Sequence, residues 1–352
     1  MAEKKMRGIV KAQAGPGLEF RADLPYPTIK DDEALFKVKA AAVCGTDIHI
    51  DEWNEWARAR IKPPVIIGHE VAGEVVEVGS RVTNLKVGDR IAVETHVACY
   101  NCQLCDMGMP HICPHQDIYG VTIQGAFAEY SKVRADVCVK LPDDIPDEMG
   151  AMLEPMGAGV HGVELGQVKD KTVFINGCGP IGLMAIGACI VHGAKRVIAS
   201  DIFEEKLDIA KQMGAEITLN AKNQDVVARV KAETGGLGAD VAIDFTGAGR
   251  AIVSALRTVR KGGMLVLVGL PDGEIPINLT EDLIYKEITV TGVAGRLMYE
   301  TWEDCIRILQ DPRFSMDPVI GGRYALEDFE AAFAAIRGGA PGKMLLIPEM
   351  TP

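Results

Sequence analysis

Positive charge is in short supply in this sequence. Its 352 residues carry 37 Lys and Arg against 49 Asp and Glu, for a formal net charge of -12. A surface that acidic repels phosphate backbones and anionic membranes. No run of Lys and Arg is long enough to suggest a basic patch. Aromatic and basic residues do not interleave near the cysteine-rich stretch at 99–113, which argues against a nucleic-acid-binding zinc module. Neither nucleic acid nor membrane is an expected partner. Long apolar runs are also missing. The longest, residues 172–191, contains Asn176, Pro180 and several glycines and reads poorly as a membrane span. Residues 1–8 are charged with no apolar stretch behind them, unlike a signal peptide. A soluble cytoplasmic protein is the expectation.

What is present is ordinary in bulk: 48% hydrophobic and 24% charged residues, in a chain long enough for two domains with a core each. The nine cysteines are odd in number, and four fall within residues 99–113. In a chain without an export signal, such a cluster is more often a metal site than a disulfide framework. No internal repeat or low-complexity segment is apparent.

Three stretches differ in pattern. Residues 1–154 hold short β-like runs, at 34–42, 71–78, 90–94 and 126–133, separated by Gly and Pro, which suggests an antiparallel or barrel-like domain. Residues 155–295 alternate strands (171–176, 196–201, 239–245, 264–269, 288–292) with helix-like runs (180–192, 204–213), the mark of a doubly wound parallel sheet. Residues 296–352 hold two helix-like runs, 300–310 and 326–337, and a closing strand at 343–347. This last stretch is expected to return to the first domain, because the middle sheet is already complete.

Gly177-Cys178-Gly179-Pro180-Ile181-Gly182 fits GxGxxG. Alone it is weak, but an apolar strand precedes it and a helix follows. Such glycines let the backbone turn tightly and approach a pyrophosphate, and the helix N-terminus offers free N–H groups to it. Asp201 stands nineteen residues after Gly182, at the end of the second strand. A carboxylate there accepts from ribose hydroxyls and repels a 2′-phosphate, favouring NAD over NADP. Lys206 is close in sequence, as are Lys195 and Arg196. Gly247 and Gly269 end strands on the edge where a cofactor would lie, or are plain turn residues.

Cys99, Cys102, Cys105 and Cys113 form C-x2-C-x2-C-x7-C. Four soft thiolates make a closed tetrahedral zinc site that clamps a loop and does no chemistry. An iron–sulfur cluster is the competing metal reading, and unliganded buried cysteines the third. Further candidate ligands are dispersed, as in a catalytic site: Cys44, His69, Glu70 and Glu154. Singly, His69 reads equally as a satisfied core histidine and Cys44 as a small buried hydrophobe. Spacing does not show whether they converge.

The motifs together resemble the zinc-containing medium-chain dehydrogenases/reductases, the alcohol dehydrogenase superfamily, over essentially the whole chain. They are Gly68-His69-Glu70-x-x-Gly73-x-Val75-x-x-Val78-Gly79, Gly88-Asp89-Arg90, the four-cysteine lobe, Leu153-Glu154-Pro155 and Gly177-Cys178-Gly179-Pro180. Within the family, Cys44-Gly45-Thr46-Asp47-Ile48-His49 followed by Trp53-Asn54-Glu55-Trp56, Glu94-Thr95-His96, and Gly295-Arg296 through Trp302 resemble the bacterial and archaeal L-threonine 3-dehydrogenase subgroup. Ala158 departs from it, standing where the subgroup usually has Asn; a polyol or sorbitol-type dehydrogenase, including one for phosphorylated or sulfonated sugar alcohols, is the alternative. The resemblance implies a GroES-like β-barrel catalytic domain (1–154 and 296–352) with two zinc sites, an NAD-binding Rossmann domain (155–295), and a homotetramer. It implies Cys44, His69, Glu70 and Glu154 around a catalytic zinc, with Cys99, Cys102, Cys105 and Cys113 on a structural one. The expected chemistry is oxidation of a secondary alcohol on a small polar substrate. Zinc acts as the Lewis acid, Thr46 and His49 relay the proton, and His96 meets the polar end of the substrate or is a surface histidine. Trp53, Trp56 and Arg296 are further pocket candidates. His111, His115, His161 and His192 carry no assigned role.

Overall fold

The computed structural model describes residues 4–271 and 273–351. The first three residues of the N-terminal stretch, Asp272 and the final residue of the closing segment lie outside the described residues. The chain forms two compact units, Met1–Glu154 with Ile320–Pro352, and Pro155–Val319.

The first unit is β-rich. Its larger sheet runs Cys138–Lys140, Arg90–Val93, Glu70–Val78, Glu33–Ala42, Lys343–Leu346 and Ile320–Tyr324, with Tyr130–Arg134 also paired to Glu33–Ala42. Glu33–Ala42 is central because Leu35, Phe36, Val38 and Ala40 bury both of its faces. The closing strand Lys343–Leu346 lies antiparallel beside it, with Leu345 opposite Ala42. That pairing brings the end of the chain to Val43 and Cys44.

The second unit is a six-stranded, wholly parallel sheet in the order Ile217–Asn220, Arg196–Asp201, Thr172–Asn176, Ala239–Asp244, Val259–Leu267, Thr289–Gly292. In chain order this is 3-2-1-4-5-6, the Rossmann arrangement, which reverses direction beside Thr172–Asn176. That strand is buried along its whole length, as a near-continuous apolar run requires in a parallel sheet. Helix Pro180–Val191 follows, with Gly179 as N-cap and Pro180 in the first turn, where its missing N–H costs nothing.

Residues 296–319, grouped above with the first domain, pack into the second unit instead. Helix Glu300–Leu309 buries Thr301, Trp302, Cys305 and Ile308 on one face. Thr301 donates to Glu164 at 3.0 Å, and Asp304 lies 2.7 Å from His192 Nε2. Phe314 fills the space above Gly187, where a Cβ would sit 2.5 Å from its ring. The completed sheet still leaves its helices an apolar face to cover, and this segment covers it. Gly187→Ala is therefore expected to cost about 1–3 kcal/mol through overpacking. The check is the urea midpoint; an unchanged midpoint would remove Phe314 from this contact.

Candidate active site

Strand Glu33–Ala42 ends just before Cys44, which N-caps helix Gly45–Glu52. The Cys44 N–H donates to Asp47 Oδ2 at 2.8 Å, fixing the first turn. Cys44 Sγ lies 3.7 Å from Thr46 Oγ1. His69 and Glu70 are presented by a turn at Gly68, whose φ of 91° lies in the left-handed region; a Cβ there would meet the Phe127 ring at 2.2 Å. Sγ of Cys44, an imidazole nitrogen of His69 and a carboxylate oxygen of Glu70 all lie within 4.8 Å of one another. Three of the four dispersed candidates thus converge. Glu154 stays outside that group, its Oε1 accepting from Thr95 Oγ1 at 2.8 Å.

The electrostatics of this pocket call for a cation. Asp47 and Glu70 are fully buried and His69 nearly so. Burial raises the carboxyl pKa values of both Asp47 and Glu70 against the cations beside them. Burial resists charging His69, yet Cys44, Asp47 and Glu154 outweigh it and push the imidazole up to about 10. Among the described residues, Asp47 Oδ1, His69 Nδ1 and Glu70 Oε2 have no hydrogen-bond partner. Buried orphans of this kind are costly, and a thiolate, an imidazole and a carboxylate are zinc's preferred donors. The residues fit a zinc ion that leaves a coordination position open.

One participant escaped the sequence reading. Lys343, buried in the closing strand, donates to Glu70 Oε1 at 2.5 Å and to the Val43 carbonyl at 3.1 Å. Its only signal was a lysine at the head of an apolar strand. His96 is anchored rather than loose on the surface. Its Nδ1 lies 2.6 Å from Oε1 of the buried Glu94, which also accepts the His96 N–H at 2.8 Å. Facing a carboxylate, Nδ1 carries the proton and Nε2 remains for another partner. His49 is exposed, three residues beyond Thr46 and on the same helix face. Arg296, a pocket candidate above, is buried in the second unit, against Gly157 and over the Trp302 ring.

The cysteine lobe has the dimensions of a single-ion site. Sγ separations are 3.4 Å for Cys99–Cys113, 3.6 Å for Cys102–Cys105 and 3.8 Å for Cys102–Cys113. Four thiolates about 2.3 Å from one tetrahedral zinc stand about 3.8 Å apart. An iron–sulfur cluster spreads four thiolates over two or four irons, so that they do not all crowd together, whereas here all four lie within 4.8 Å of one another.

In the second unit, Gly177 adopts φ 99°, and a Cβ on Gly182 would lie 2.0 Å from the Gly177 carbonyl. Gly179 faces open space. A cavity of about 340 Å³ lies here, lined among others by Gly177, Gly179, Asp201, Phe203, Lys206 and Thr246. Pro180, Ile181 and Gly182 form the first turn of the helix behind it. Asp201 Oδ2 accepts from the Cys178 N–H at 2.8 Å, and Oδ1 from those of Ile202 and Phe203. The Lys206 ammonium stands 4.8 Å from the Phe203 ring centroid. Gly247 and Gly269 do not line the cavity. They pack backbone to backbone, so that a Cβ on Gly269 would sit 2.2 Å from the Gly247 nitrogen. Sequence reasoning passed over Phe203 and Thr246, which lie beside the residues it named.

A nucleotide-type parallel sheet in one unit and a soft, anionic metal-ligand set in the other define a metal-dependent dehydrogenase. Residues 30–143 match the model of the alcohol dehydrogenase GroES-like domain, and residues 180–311 that of zinc-binding dehydrogenases. The chain is 41% identical to the L-threonine 3-dehydrogenase of Bacillus licheniformis, over 97% of this chain and 99% of that one. It is also 41% identical to the protein of that name from Pyrococcus horikoshii, over 98% and 99%. Galactitol-1-phosphate dehydrogenase from Escherichia coli superposes with a TM-score of 0.90 at 29% identity, over 97% and 100%. The chain belongs to the zinc-binding alcohol dehydrogenase family, the zinc-containing medium-chain dehydrogenases/reductases. It is a zinc enzyme that uses a nicotinamide cofactor.

Lys343→Met would leave Glu70 buried without its cation. In metal-stripped protein the expected loss is about 3–5 kcal/mol, the cost of breaking a buried pair on one side. Urea denaturation with chelator present checks it; stability equal to that of the unsubstituted protein would mean that Glu70 is not carried by Lys343.

Proposed function

We propose that this dehydrogenase oxidises the secondary alcohol of L-threonine to 2-amino-3-ketobutyrate, with NAD as hydride acceptor and two zinc ions per chain. The observation that carries the reading is the convergence of Cys44, His69 and Glu70, in a chain 41% identical end to end to proteins named for this reaction. Zinc bound by these three residues, with Glu154 near as a fourth candidate, would supply Lewis acidity that lowers the pKa of the substrate hydroxyl. The second ion would belong to the four cysteines and hold their lobe.

The chain's own residues do the rest. Thr46, close to Cys44 Sγ, takes the hydroxyl proton at Oγ1 and passes it towards His49, which is exposed and can release it to water. Asp47 Oδ1, 3.9 Å from His69 Nδ1, is beyond hydrogen-bond reach and acts on the ligand imidazole through its charge. His96, held through Nδ1 by Glu94, offers Nε2 to the polar end of the substrate.

NAD rather than NADP is supported by Asp201. Its Oδ2 accepts a single N–H and keeps capacity for a ribose hydroxyl, while its charge repels a 2′-phosphate. We also read the enzyme as a cytoplasmic homotetramer. A cysteine set that suits metal ligation rather than disulfides is in keeping with a reducing compartment. The last strand of the sheet, Thr289–Gly292, and the segment before it expose Val290, Tyr285, Ile284 and Leu279, an apolar rim suited to a second copy.

With L-threonine and NAD, absorbance of NADH at 340 nm should rise, and Cys44→Ser should abolish the rise and release one of two zinc equivalents while circular dichroism is unchanged. Turnover of a polyol or its phosphate with none of threonine would sink the substrate. Because Asp201 also holds three backbone N–H groups, Asp201→Asn is a cleaner cofactor test than alanine. Losing one charge-assisted hydrogen bond should cost NAD about tenfold in kcat/KM, with NADP improved or unchanged. Equal losses with both cofactors would remove Asp201 from the ribose.

A further inference from the structure

We propose that Lys11 is a positioning residue for this reaction. Its buried ammonium fixes loop 12–18 and the indole of Trp53, and through them the far end of the helix that begins at Cys44 and carries Thr46 and His49. The proposal rests on the dehydrogenase reading above.

Lys11 is the last residue of strand Lys5–Lys11 and is completely buried. Its ammonium donates to the carbonyls of Gly15 and Gly17, the latter at 2.8 Å, and stands 4.9 Å from the centroid of the Trp53 ring. Among the described residues no carboxylate lies within ion-pair distance of it. The charge that acts on it at longer range is Asp51, whose carboxylate is engaged by Arg337. Burial lowers the Lys11 pKa and Asp51 opposes that shift.

A buried cation without a carboxylate is a costly filler, because a methionine of similar length would avoid the desolvation. What the ammonium adds is direction. Two carbonyls must point at it, and the aromatic face must lie against it. Gly15 and Gly17, at φ 135° and 100°, turn the loop so that they do. The Gly17 N–H in turn donates to the Asp51 carbonyl at 2.7 Å, one of the orphan acceptors in the last turn of helix Gly45–Glu52. Trp53 closes that helix in the left-handed conformation, φ 57° and ψ 43°, which a tryptophan rarely adopts unless its surroundings hold it there. A cation at this end also complements the helix dipole. Lys11, Gly17, Asp51 and Trp53 therefore form one clamp on the C-terminal end of a two-turn helix. Cys44 sits at the other end of that helix, with Thr46 and His49 between.

The test uses zinc-loaded enzyme with NAD. Lys11→Met keeps length and removes charge. It should fold and melt close to the unsubstituted enzyme, while kcat/KM for L-threonine falls on the order of tenfold, as expected for a misplaced proton relay. Trp53→Phe should lose a similar factor, and the double variant no more than the worse single, because both break one clamp. Unchanged kcat/KM in Lys11→Met, or penalties that multiply in the double variant, would overturn the proposal. Should Lys11→Met fail to fold, Trp53→Phe decides alone, and unchanged kcat/KM there is equally fatal. Threonine turnover by the unsubstituted enzyme tests the parent reading separately. In fluorotryptophan-labelled protein the three tryptophans give three fluorine lines, and the line lost in Trp53→Phe should move in Lys11→Met without any substrate. If that line does not move, the clamp does not exist.

Discussion

The first unit is organised around the burial of more negative charge than its own cations neutralise. Glu70 and Asp47 are fully desolvated beside the Cys44 thiol, and Lys343 reaches only one oxygen of one of them. A desolvated carboxylate is tolerated only when paired or coordinated. Cys44, Asp47 and Glu154 all favour positive charge on His69 against its burial, so this position of the pocket suits a cation. A divalent ion among Cys44, His69 and Glu70 supplies that charge and returns His69 to its neutral, ligating form. The architecture serves this point. Glu33–Ala42 delivers Cys44, the Gly68 turn delivers His69 and Glu70, and the closing strand brings Lys343 from nearly three hundred residues away.

In the second unit the governing constraint is steric. Gly177, Gly182 and the Gly247–Gly269 pair let backbone approach backbone where any Cβ would overlap. Around Gly177 and Gly179 the result is a cavity with free N–H groups at the start of a helix, the arrangement that receives a pyrophosphate. Asp201 does two jobs there. It ties the glycine loop to the second strand through the Cys178 N–H, and it sets the charge that a ribose meets. Structural and recognition roles on one carboxylate explain why its removal cannot be read as a recognition effect alone.

Local chemistry made much of this legible from sequence. The glycine loop, its flanking strand and helix, Asp201 and the four-cysteine spacing are each encoded within a few tens of residues. The parallel sheet followed from alternation of strand and helix. What was not legible depends on contacts between distant segments. Lys343 looks like an ordinary lysine until Leu345 pairs with Ala42. His96 was equally a surface histidine until Glu94, two residues earlier on the same short run, turned back to hold its Nδ1. Residues 296–319 belong to the second unit although its sheet is complete without them. The helices of a parallel sheet still need their outer faces covered, and Trp302, Cys305 and Phe314 do that. Glu154 shows the opposite limit. Its motif marks it as a ligand candidate, while its Oε1 accepts from Thr95 and the three-residue group forms without it.

The helix Gly45–Glu52 gathers these threads, because a buried lysine stands at each end of it. At its start Lys343 bonds the carbonyl of Val43 as well as Glu70, and at its finish Lys11 gathers Gly15, Gly17 and Trp53. The two are held differently. Lys343 has a full carboxylate partner and belongs to the charge balance of the metal pocket. Among the described residues Lys11 is met by carbonyl dipoles, a helix end and an aromatic face, with Asp51 acting from further off, and this leaves its ammonium sensitive to their orientation. An isolated helix of this length has almost no stability of its own. Its direction is imposed from outside, and anchoring both ends with charge fixes where Thr46 and His49 stand relative to Cys44 more tightly than apolar packing of two turns could.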